Sequence, residues 1–160
     1  MGAPAVRRIT VAVDGSPTAA TALEYAADLA KKFSASLTIV AVAPIHTVYA
    51  APSEPWVAPQ IFEGESSRYR RVLESAVAQA KSAGVAAVES VLLEGVVVDE
   101  ILNYLESHPT DLLVLGSRGL SSAKRLLIGS VSEALLHHVS CPVLIVRAPT
   151  TAAAPPPPPG

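Results

Sequence analysis

Five short segments dominated by apolar, mostly branched residues recur along the chain. They cover residues 9–13, 37–43, 88–93, 111–115 and 142–146. Apolar segments of this length, bounded by turn residues, are typical of strands that are buried on both faces of a sheet. The pattern therefore predicts five buried strands.

The stretches between these segments carry apolar residues at the spacing of one helix face. The first predicted helix follows the turn residues 14–17 and extends to about Phe33, and the second, over 69–80, stops at Gly84. The third must end before Pro109, because proline disfavours helical backbone at the residue that precedes it. The fourth spans 131–139. Strands that alternate with helices predict a parallel sheet covered on both faces through right-handed crossovers.

Two proline-rich stretches interrupt this alternation. Residues 44–60 contain several prolines and the only tryptophan, which suits neither a helix nor a central strand. We expect a long loop there, either a lid over a ligand or a variable surface insertion. Residues 148–160 include five consecutive prolines, and we expect them to form a disordered tail. The predicted domain is therefore 1–147.

Length and charge limit the classes of protein to which the chain can belong. Its 160 residues suit one domain. Its net charge of −2 argues against nucleic acid as the main partner, because phosphate contacts need a basic footprint. No apolar run approaches the roughly 20 residues of a membrane helix, and the first residues lack the pattern of a secretory signal or a myristoylation motif. We expect a cytoplasmic protein without membrane contact.

Glycine and hydroxyl residues cluster where the first and fourth predicted strands end. In doubly wound sheets, ligands bind beyond the carboxyl ends of the strands, at the point where strand order reverses. The first strand leads into Asp14, and the fourth leads into Gly116 and Gly119, with Gly129 and Ser130 following. Glycines let backbone amides approach a phosphate, and the free N–H groups of a helix start favour an anion. A second interpretation stays open, in which the glycines shape turns, Ser130 caps a helix and Asp14 forms a turn.

The same glycines carry a resemblance to the ATP-binding branch of the universal stress proteins. The family's most specific motif is glycine, two residues, glycine, nine residues, glycine and Ser or Thr, and this chain matches it with Gly116, Gly119, Gly129 and Ser130. The flanking segments VAVDGSP, DLLVLGSRG, KRLLIGSVSE and CPVLIVR fit the family as well. The resemblance covers about residues 7–147. It implies a single doubly wound five-stranded parallel sheet in the order 3-2-1-4-5, the adenine nucleotide alpha hydrolase-like fold.

The resemblance also implies which residues contact the ligand. It implies that the nucleoside is bound by Ala12, Asp14 and Val42, with Leu115 and Gly116 beside them. The residues that it implies for the phosphates are Gly119, Gly129, Ser130, Val131 and Ser132. Arg118 is either a phosphate partner or a surface residue. The chain departs from many relatives at residues 95–97, which read Gly-Val-Val instead of Gly-any-Pro. The loss of a proline at a first helical turn need not disturb the helix, but the adenine side of the site is then shaped differently.

We interpret the chain as a stress-response regulatory protein that binds ATP, with little or no turnover and no catalytic residue. Its sequence contains neither a Walker lysine motif nor a Rossmann glycine triplet, and its histidines form no metal-binding pattern. ADP, AMP or a cyclic nucleotide stays open as the ligand, with Mg²⁺ as an accompanying ion. Two other functions stay open: an ATPase or nucleotidyl-transfer enzyme in which Asp14 holds a divalent ion, and an interaction module that needs no nucleotide.

The last predicted strand is expected at an edge of the sheet. Val143–Val146 consists of four branched apolar residues, and an unpaired edge of this kind is normally covered or paired. The proline-rich tail cannot supply a regular strand to cover it. We therefore expect a homodimer joined through this strand, which the resemblance also implies.

Overall fold

Five strands and four helices alternate along the part of the chain that the structure describes. The computed structural model describes residues 5–45, 58–118 and 128–147, with the backbone alone over 58–63. The elements are β1 (Arg8–Ala12), α1 (Pro17–Phe33), β2 (Ser36–Pro44), α2 (Ala58–Ser82), β3 (Val88–Gly95), α3 (Val97–Ser107), β4 (Leu112–Gly116), α4 (Ser130–His138) and β5 (Val143–Val146). The order predicted from the apolar pattern is confirmed.

The second helix is longer than its apolar spacing predicts. It begins at Ala58, so residues 58–60, which were predicted to end the long loop, are helical instead. Pro59 stands in the first turn, where a missing N–H costs little because that group has no intrahelical partner. Pro44, which was predicted to begin the loop, is instead the last residue of β2. Residues 46–57 of the predicted loop lie outside the described residues, as does the predicted tail, 148–160.

All five strands are parallel and form one sheet in the order β3-β2-β1-β4-β5. β1 lies at the centre, in register with β2 from Arg8 to Ala12 and with β4 from Ile9 to Val11. The chain winds outward from β1 through β2 to β3 and then returns to β4 on the other side. The strand order therefore reverses between β1 and β4, which is where a doubly wound sheet opens a crevice at its carboxyl edge.

The helices cover the two faces of the sheet in pairs. α1 and α2 contact each other on one face, and α3 and α4 contact each other on the opposite face. Alternation along the strands supplies both cores, because successive side chains point to opposite faces. Val114 joins the core under α1 and α2, whereas Leu113 and Leu115 join the core under α3 and α4. The predicted doubly wound architecture is confirmed.

Helix α1 shows why its sequence begins and ends where it does. Ser16 is the N-cap, and its Oγ accepts a hydrogen bond from the Ala19 N–H at 3.2 Å, with Pro17 at the first helical position. These are the preferred residues at those positions. At the other end Ser34 takes the left-handed conformation with φ 54°. Small alanines, among them Ala22 and Ala26, are fully buried against the sheet, so the helix axis packs close to the strands.

An ion pair joins the central strands at the edge of the sheet opposite the crevice. Arg8 Nη2 lies 2.9 Å from Asp111 Oδ1, and Asp111 Oδ2 accepts hydrogen bonds from the backbone N–H groups of Arg7 and Arg8. These contacts, led by the Arg8 side chain, lower the pKa of Asp111 to about 2. The pair therefore ties the start of β1 to the residue before β4.

Hydropathy along the helices bears on membrane contact. Among the helices of the described residues, none is both long enough and apolar enough to cross a membrane. α2 spans 25 residues, and Tyr69, Leu73, Ala76 and Ala80 bury their side chains in the core under α1 and α2.

Candidate functional site

A cleft of about 370 Å³ opens at the carboxyl edge of the sheet, where the strand order reverses. Its volume falls within the range of small-molecule sites. Every residue nominated from the sequence that the structure describes lines this cleft: Ala12, Asp14, Val42, Leu115, Gly116, Arg118, Gly129, Ser130, Val131 and Ser132. Gly119 lies outside the described residues. Residues from both halves of the chain thus meet at one place.

Other residues line the cleft that the sequence analysis did not nominate. They come from the β1–α1 region, from β2, from α2 and from α3: Val13, Ala19, Val40, Pro44, Glu65, Arg68, Tyr69, Val97 and Ile101. Val13, Val40, Tyr69 and Ile101 belong to apolar patterns that predicted only buried strands or helix faces, whereas Pro44 was predicted to begin the long loop and Val97 stands in the segment that departs from the family pattern. A helical repeat predicts which residues face the sheet, but it does not tell a core position from one at the rim of a cleft. The sequence holds no signal that would have singled out Glu65 or Arg68.

The loop after β1 is a tight turn built on Asp14 and Gly15. The Ser16 N–H donates a hydrogen bond to Asp14 Oδ1 at 2.9 Å. Gly15 has φ +83°, and a Cβ there would lie 3.2 Å from Val72 Cγ2. A side chain at this position is disfavoured by both the backbone conformation and the packing against α2. Asp14 therefore forms a turn, as one interpretation of the sequence held, and it also lines the cleft.

The start of α4 supplies backbone donors to the cleft. Gly129 is the N-cap with φ −61° and ψ 153°, and no side chain caps the helix. The idea that Ser130 caps α4 is therefore wrong, because Ser130 is the first residue within the helix. The first intrahelical bond runs from the Glu133 N–H to the Gly129 carbonyl at 2.9 Å. The N–H groups of Ser130, Val131 and Ser132 consequently have no partner within the helix, and they carry its positive end.

The side chain of Ser132 has a different role from the one predicted. The sequence suggested that its hydroxyl would add a donor for a phosphate. Instead Ser132 is buried, and its Oγ donates to the Gly116 carbonyl at 2.7 Å. Only the backbone N–H of Ser132 stays suited to an anion. The hydroxyl of Ser130 is exposed at the same helix start.

Gly116 is required by packing between β4 and α1. A Cβ at this position would lie 2.9 Å from both the carbonyl carbon and Oγ1 of Thr18, and 3.0 Å from the Ala19 nitrogen. Real Cβ atoms do not approach backbone that closely, so no larger residue fits unless α1 moves. The glycine motif thus includes a position whose small size serves the contact between β4 and α1.

The departure from the family pattern at residues 95–97 leaves α3 intact. α3 begins at Val97, with the exposed Val96 as an N-cap that makes no side-chain hydrogen bond. Gly95 has φ +150°, and a Cβ there would lie 2.8 Å from the Glu100 side chain. Val97 itself lines the cleft. α3 therefore forms without the proline of the family pattern, and Val97 occupies that position in the wall of the cleft.

Charged groups of both signs line the cleft. Asp14 and Glu65 are acidic, and Arg68 and Arg118 are basic. The Arg68 guanidinium lies 5.4 Å from the centre of the Tyr69 ring, within the range of a cation–π contact. Burial raises the pKa of the Tyr69 hydroxyl; Arg68 opposes this shift, and Asp14 reinforces it. Tyr69 therefore stays neutral at physiological pH, against the loop that carries Asp14.

Groups that commonly act as bases or metal ligands are sparse in the described part of the cleft. Its lining there contains no histidine or cysteine. Across residues 5–45, 58–118 and 128–147, with the side chains of 58–63 left aside, no group of three or more histidine, cysteine, aspartate or glutamate side chains is arranged to hold a metal ion. His138 sits at the far end of α4, where its Nδ1 lies 2.7 Å from the Ala134 carbonyl oxygen. The described cleft offers binding groups and two carboxylates.

Fold and cleft together define a class of protein. A doubly wound parallel sheet with a cleft at its switch point, and with a helix start facing that cleft, is the arrangement of α/β domains that bind phosphate-containing ligands. The model of the Universal stress protein family matches residues 5–147. The chain belongs to the universal stress protein family.

Individual relatives agree with this assignment. Universal stress protein YxiE of Bacillus subtilis is 36% identical over 146 residues, which cover 88% of this chain and 98% of that protein. The structure of the universal stress protein UspA from Lactobacillus plantarum superposes with a TM-score of 0.82 at 25% identity, covering 91% of this chain and all of the other. A universal stress protein solved in complex with cAMP superposes with a TM-score of 0.69 at 26% identity, covering 89% and 98% of the two chains.

Proposed function

We propose that the chain binds an adenine nucleotide in this cleft and acts as a nucleotide-dependent regulatory protein of the stress response, with little or no turnover. The observation that carries the proposal is the start of α4. Three backbone N–H groups without intrahelical partners line the same cleft as a set of apolar side chains. A ligand with an anionic end and a flat apolar end satisfies both. The cAMP complex of a related family member supports the adenine assignment.

The residues present fit the parts of a nucleotide. Val42, Val97 and Ile101 offer apolar surface for the base, and the carboxylate of Asp14 accepts hydrogen bonds of the kind that ribose hydroxyls donate. The N–H groups of residues 130–132 would hold a phosphate, with Arg118 as a neighbouring cation. ATP is the nucleotide we propose first. ADP and AMP share these contacts except for the outer phosphates, and a cyclic nucleotide also lacks one free ribose hydroxyl.

We expect slow hydrolysis of a bound nucleotide because the described lining of the cleft contains two carboxylates but no histidine or cysteine that could act as a general base. Phosphoryl transfer needs a positioned nucleophile and charge stabilisation around the transferred group. Asp14 is oriented by its own turn, since its Oδ1 accepts the Ser16 N–H. A Mg²⁺ ion in this site would be held chiefly by the phosphates of the nucleotide, with Asp14 as a carboxylate within the cleft. Binding and hydrolysis are thus separable properties of this site.

The experiment measures ligand identity before affinity. Mass spectrometry of small molecules released from the purified protein identifies what it carries, and calorimetric titration then compares ATP, ADP, AMP, cAMP and adenosine. Phosphate release under saturating ATP and Mg²⁺ is measured in parallel and is expected below about 1 s⁻¹, the low end of typical enzymes. Faster turnover favours the ATPase alternative. Absence of binding to all five ligands favours the interaction module and overturns the proposal.

We also propose that the protein is a homodimer joined through β5. The strand is at the edge of the sheet, where its outer N–H and C=O groups have no strand partner within the described chain. Val143, Leu144 and Ile145 are only half buried, and Leu136 on α4, the element before β5 in the chain, is 44% exposed. A second copy would cover this apolar edge. A cytoplasmic location stays a prediction from the sequence.

A further inference from the structure

Buried hydroxyl groups are concentrated around the exit of β4. The buried polar residues of the described chain are Thr10, Ser16, Thr18, Ser117 and Ser132. All except Thr10 belong to the start of α1, the end of β4 or the start of α4. A buried hydroxyl destabilises the fold unless it is hydrogen bonded. Such a cluster therefore indicates a specific polar arrangement at this place.

Hydrogen bonds from this cluster and from the start of α4 reach the backbone carbonyl groups of three successive residues, 116–118. The Gly116 carbonyl accepts from Ser132 Oγ at 2.7 Å, and the Ser117 carbonyl accepts from the Gly129 N–H at 2.6 Å. The Arg118 carbonyl accepts from the Thr18 hydroxyl and, at 3.5 Å, from Ser16 Oγ. The first two bonds join the exit of β4 to the start of α4. The third joins it to α1.

A series of polar contacts then joins Asp14 in the cleft to the exit of β4 through Ser16 and Thr18. Asp14 Oδ1 accepts the Ser16 N–H, and Ser16 Oγ lies 3.4 Å from Thr18 Oγ1. Thr18 in turn holds Arg118, the last described residue before the glycine-containing segment. Thr18 itself is absent from the described lining of the cleft. Its effect on a ligand must therefore pass through the backbone that it holds.

We propose that Thr18 is a positioning residue for the phosphate end of the cleft. Its hydroxyl holds the carbonyl of Arg118, and Ser117 next to it accepts the Gly129 N–H, so the bond helps to fix the end of β4 against the start of α4. This inference rests on the proposed function, because the effect is expected on ligands that carry phosphate. Binding groups that are held in place before the ligand arrives lose less entropy on binding. Loss of this one hydrogen bond should thus weaken phosphate binding while the cleft lining stays unchanged.

The test compares ATP with adenosine in matched variants. Thr18→Val removes the hydroxyl at nearly constant volume, and Thr18→Ser retains it. Thr21→Val is the control, because Thr21 lies on the same helix and its hydroxyl bonds only to the Pro17 carbonyl at 3.1 Å among the contacts described. Thr18→Val should weaken ATP binding by about three- to tenfold, the equivalent of one hydrogen bond. Adenosine binding should change by less than about twofold, and Thr18→Ser and Thr21→Val should resemble the wild type.

Hydrogen exchange makes the inference testable without a nucleotide. The Gly129 amide is protected by the Ser117 carbonyl, so it should exchange faster in ligand-free Thr18→Val than in the wild type or Thr21→Val. Equal exchange at Gly129 overturns the inference whether or not nucleotides bind. Equal loss of ATP and adenosine affinity also overturns it, since that pattern indicates general damage to the fold. A wild type that binds no adenine nucleotide while Gly129 responds as expected overturns the proposed function instead, and with it the role of Thr18 in phosphate binding.

Discussion

Replacement of Gly116 by alanine tests the packing between β4 and α1 directly. The new Cβ would lie 2.9 Å from the carbonyl carbon and Oγ1 of Thr18 and 3.0 Å from the Ala19 nitrogen. Two of these atoms belong to the backbone of α1, so relief requires movement of the helix start or of β4. Overpacking of this kind costs about 1–3 kcal/mol. For a chain of this size, the loss corresponds to a fall in Tm of roughly 2–12 °C.

The matched control is Gly64→Ala in the interior of α2. Among the described residues, and apart from its chain neighbours and the backbone of α2 itself, no atom lies within 4 Å of the Cβ that this change would add. Alanine is also the better helix former by about 0.5–1 kcal/mol. The same chemical change should therefore raise Tm at one glycine and lower it at the other. Thermal and urea unfolding, followed by circular dichroism, measure both. The packing argument is refuted if Gly116→Ala is as stable as the wild type, or if the two variants shift Tm in the same direction.

Three further predictions concern the ligand, acid stability and assembly. Gly129→Val should abolish nucleotide binding in a domain that stays folded, since φ −61° suits any residue and Gly129 lines the cleft, where a larger side chain would stand in the way of the proposed phosphate. Unchanged ATP affinity by titration contradicts this prediction. The depressed pKa of Asp111, about 2 against an ordinary 3.8, makes its pairing with Arg8 stabilising above pH 3.8 and lost as pH falls towards 2. Asp111→Asn should lower Tm at pH 7 and have little effect at pH 2, and an equal deficit at both values excludes this linkage. Light scattering should show Ile145→Lys as a monomer, whereas the control Val96→Lys, at a site that is 62% exposed, should remain a dimer. A wild-type mass of one chain at micromolar concentration rules out the dimer.

The choice of Ile145 depends on the structure. The sequence alone does not distinguish Ile145 from Leu144 or Val146 as a site for lysine, because all three residues belong to one apolar strand. Val146 is 5% exposed within the core under α1 and α2, and Leu144 packs against the same core. Charges there would unfold the domain. Ile145 is half buried and belongs to neither core cluster, so its substitution tests association.

The element order could be predicted from the sequence because it depends on local chemistry. Apolar segments separated by amphipathic stretches and turn residues specify strands and helices through periods of 2 and 3.6 residues. The glycine and serine positions of the motif likewise pointed to the end of β4 and the start of α4, and the structure brings Asp14 to the same cleft. The start of α2 was misjudged because a proline in a first turn looks the same as a proline in a loop.

The contribution of α2 to the cleft could not be predicted in this way. Arg68 and Glu65 are ordinary polar residues of an amphipathic helix, and their place at the cleft depends on how α2 packs beside the loop after β1. The roles of individual hydroxyls were equally hidden. Ser132 appeared to be a donor for the ligand, but its partner is the Gly116 carbonyl, a contact that exists only once β4 and α4 are side by side.

The sequence by itself determined the family, the alternation of strands and helices, and the glycine and serine positions at the cleft. Each of these features depends on residues that are near one another along the chain or on a motif with fixed spacing. Only the tertiary structure decided that a side chain at Gly116 would collide with Thr18, and that the Thr18 hydroxyl donates a hydrogen bond to the Arg118 carbonyl. Those contacts join residues about a hundred positions apart in the chain. Their distances depend on the packing of α1 against β4, which no local pattern encodes.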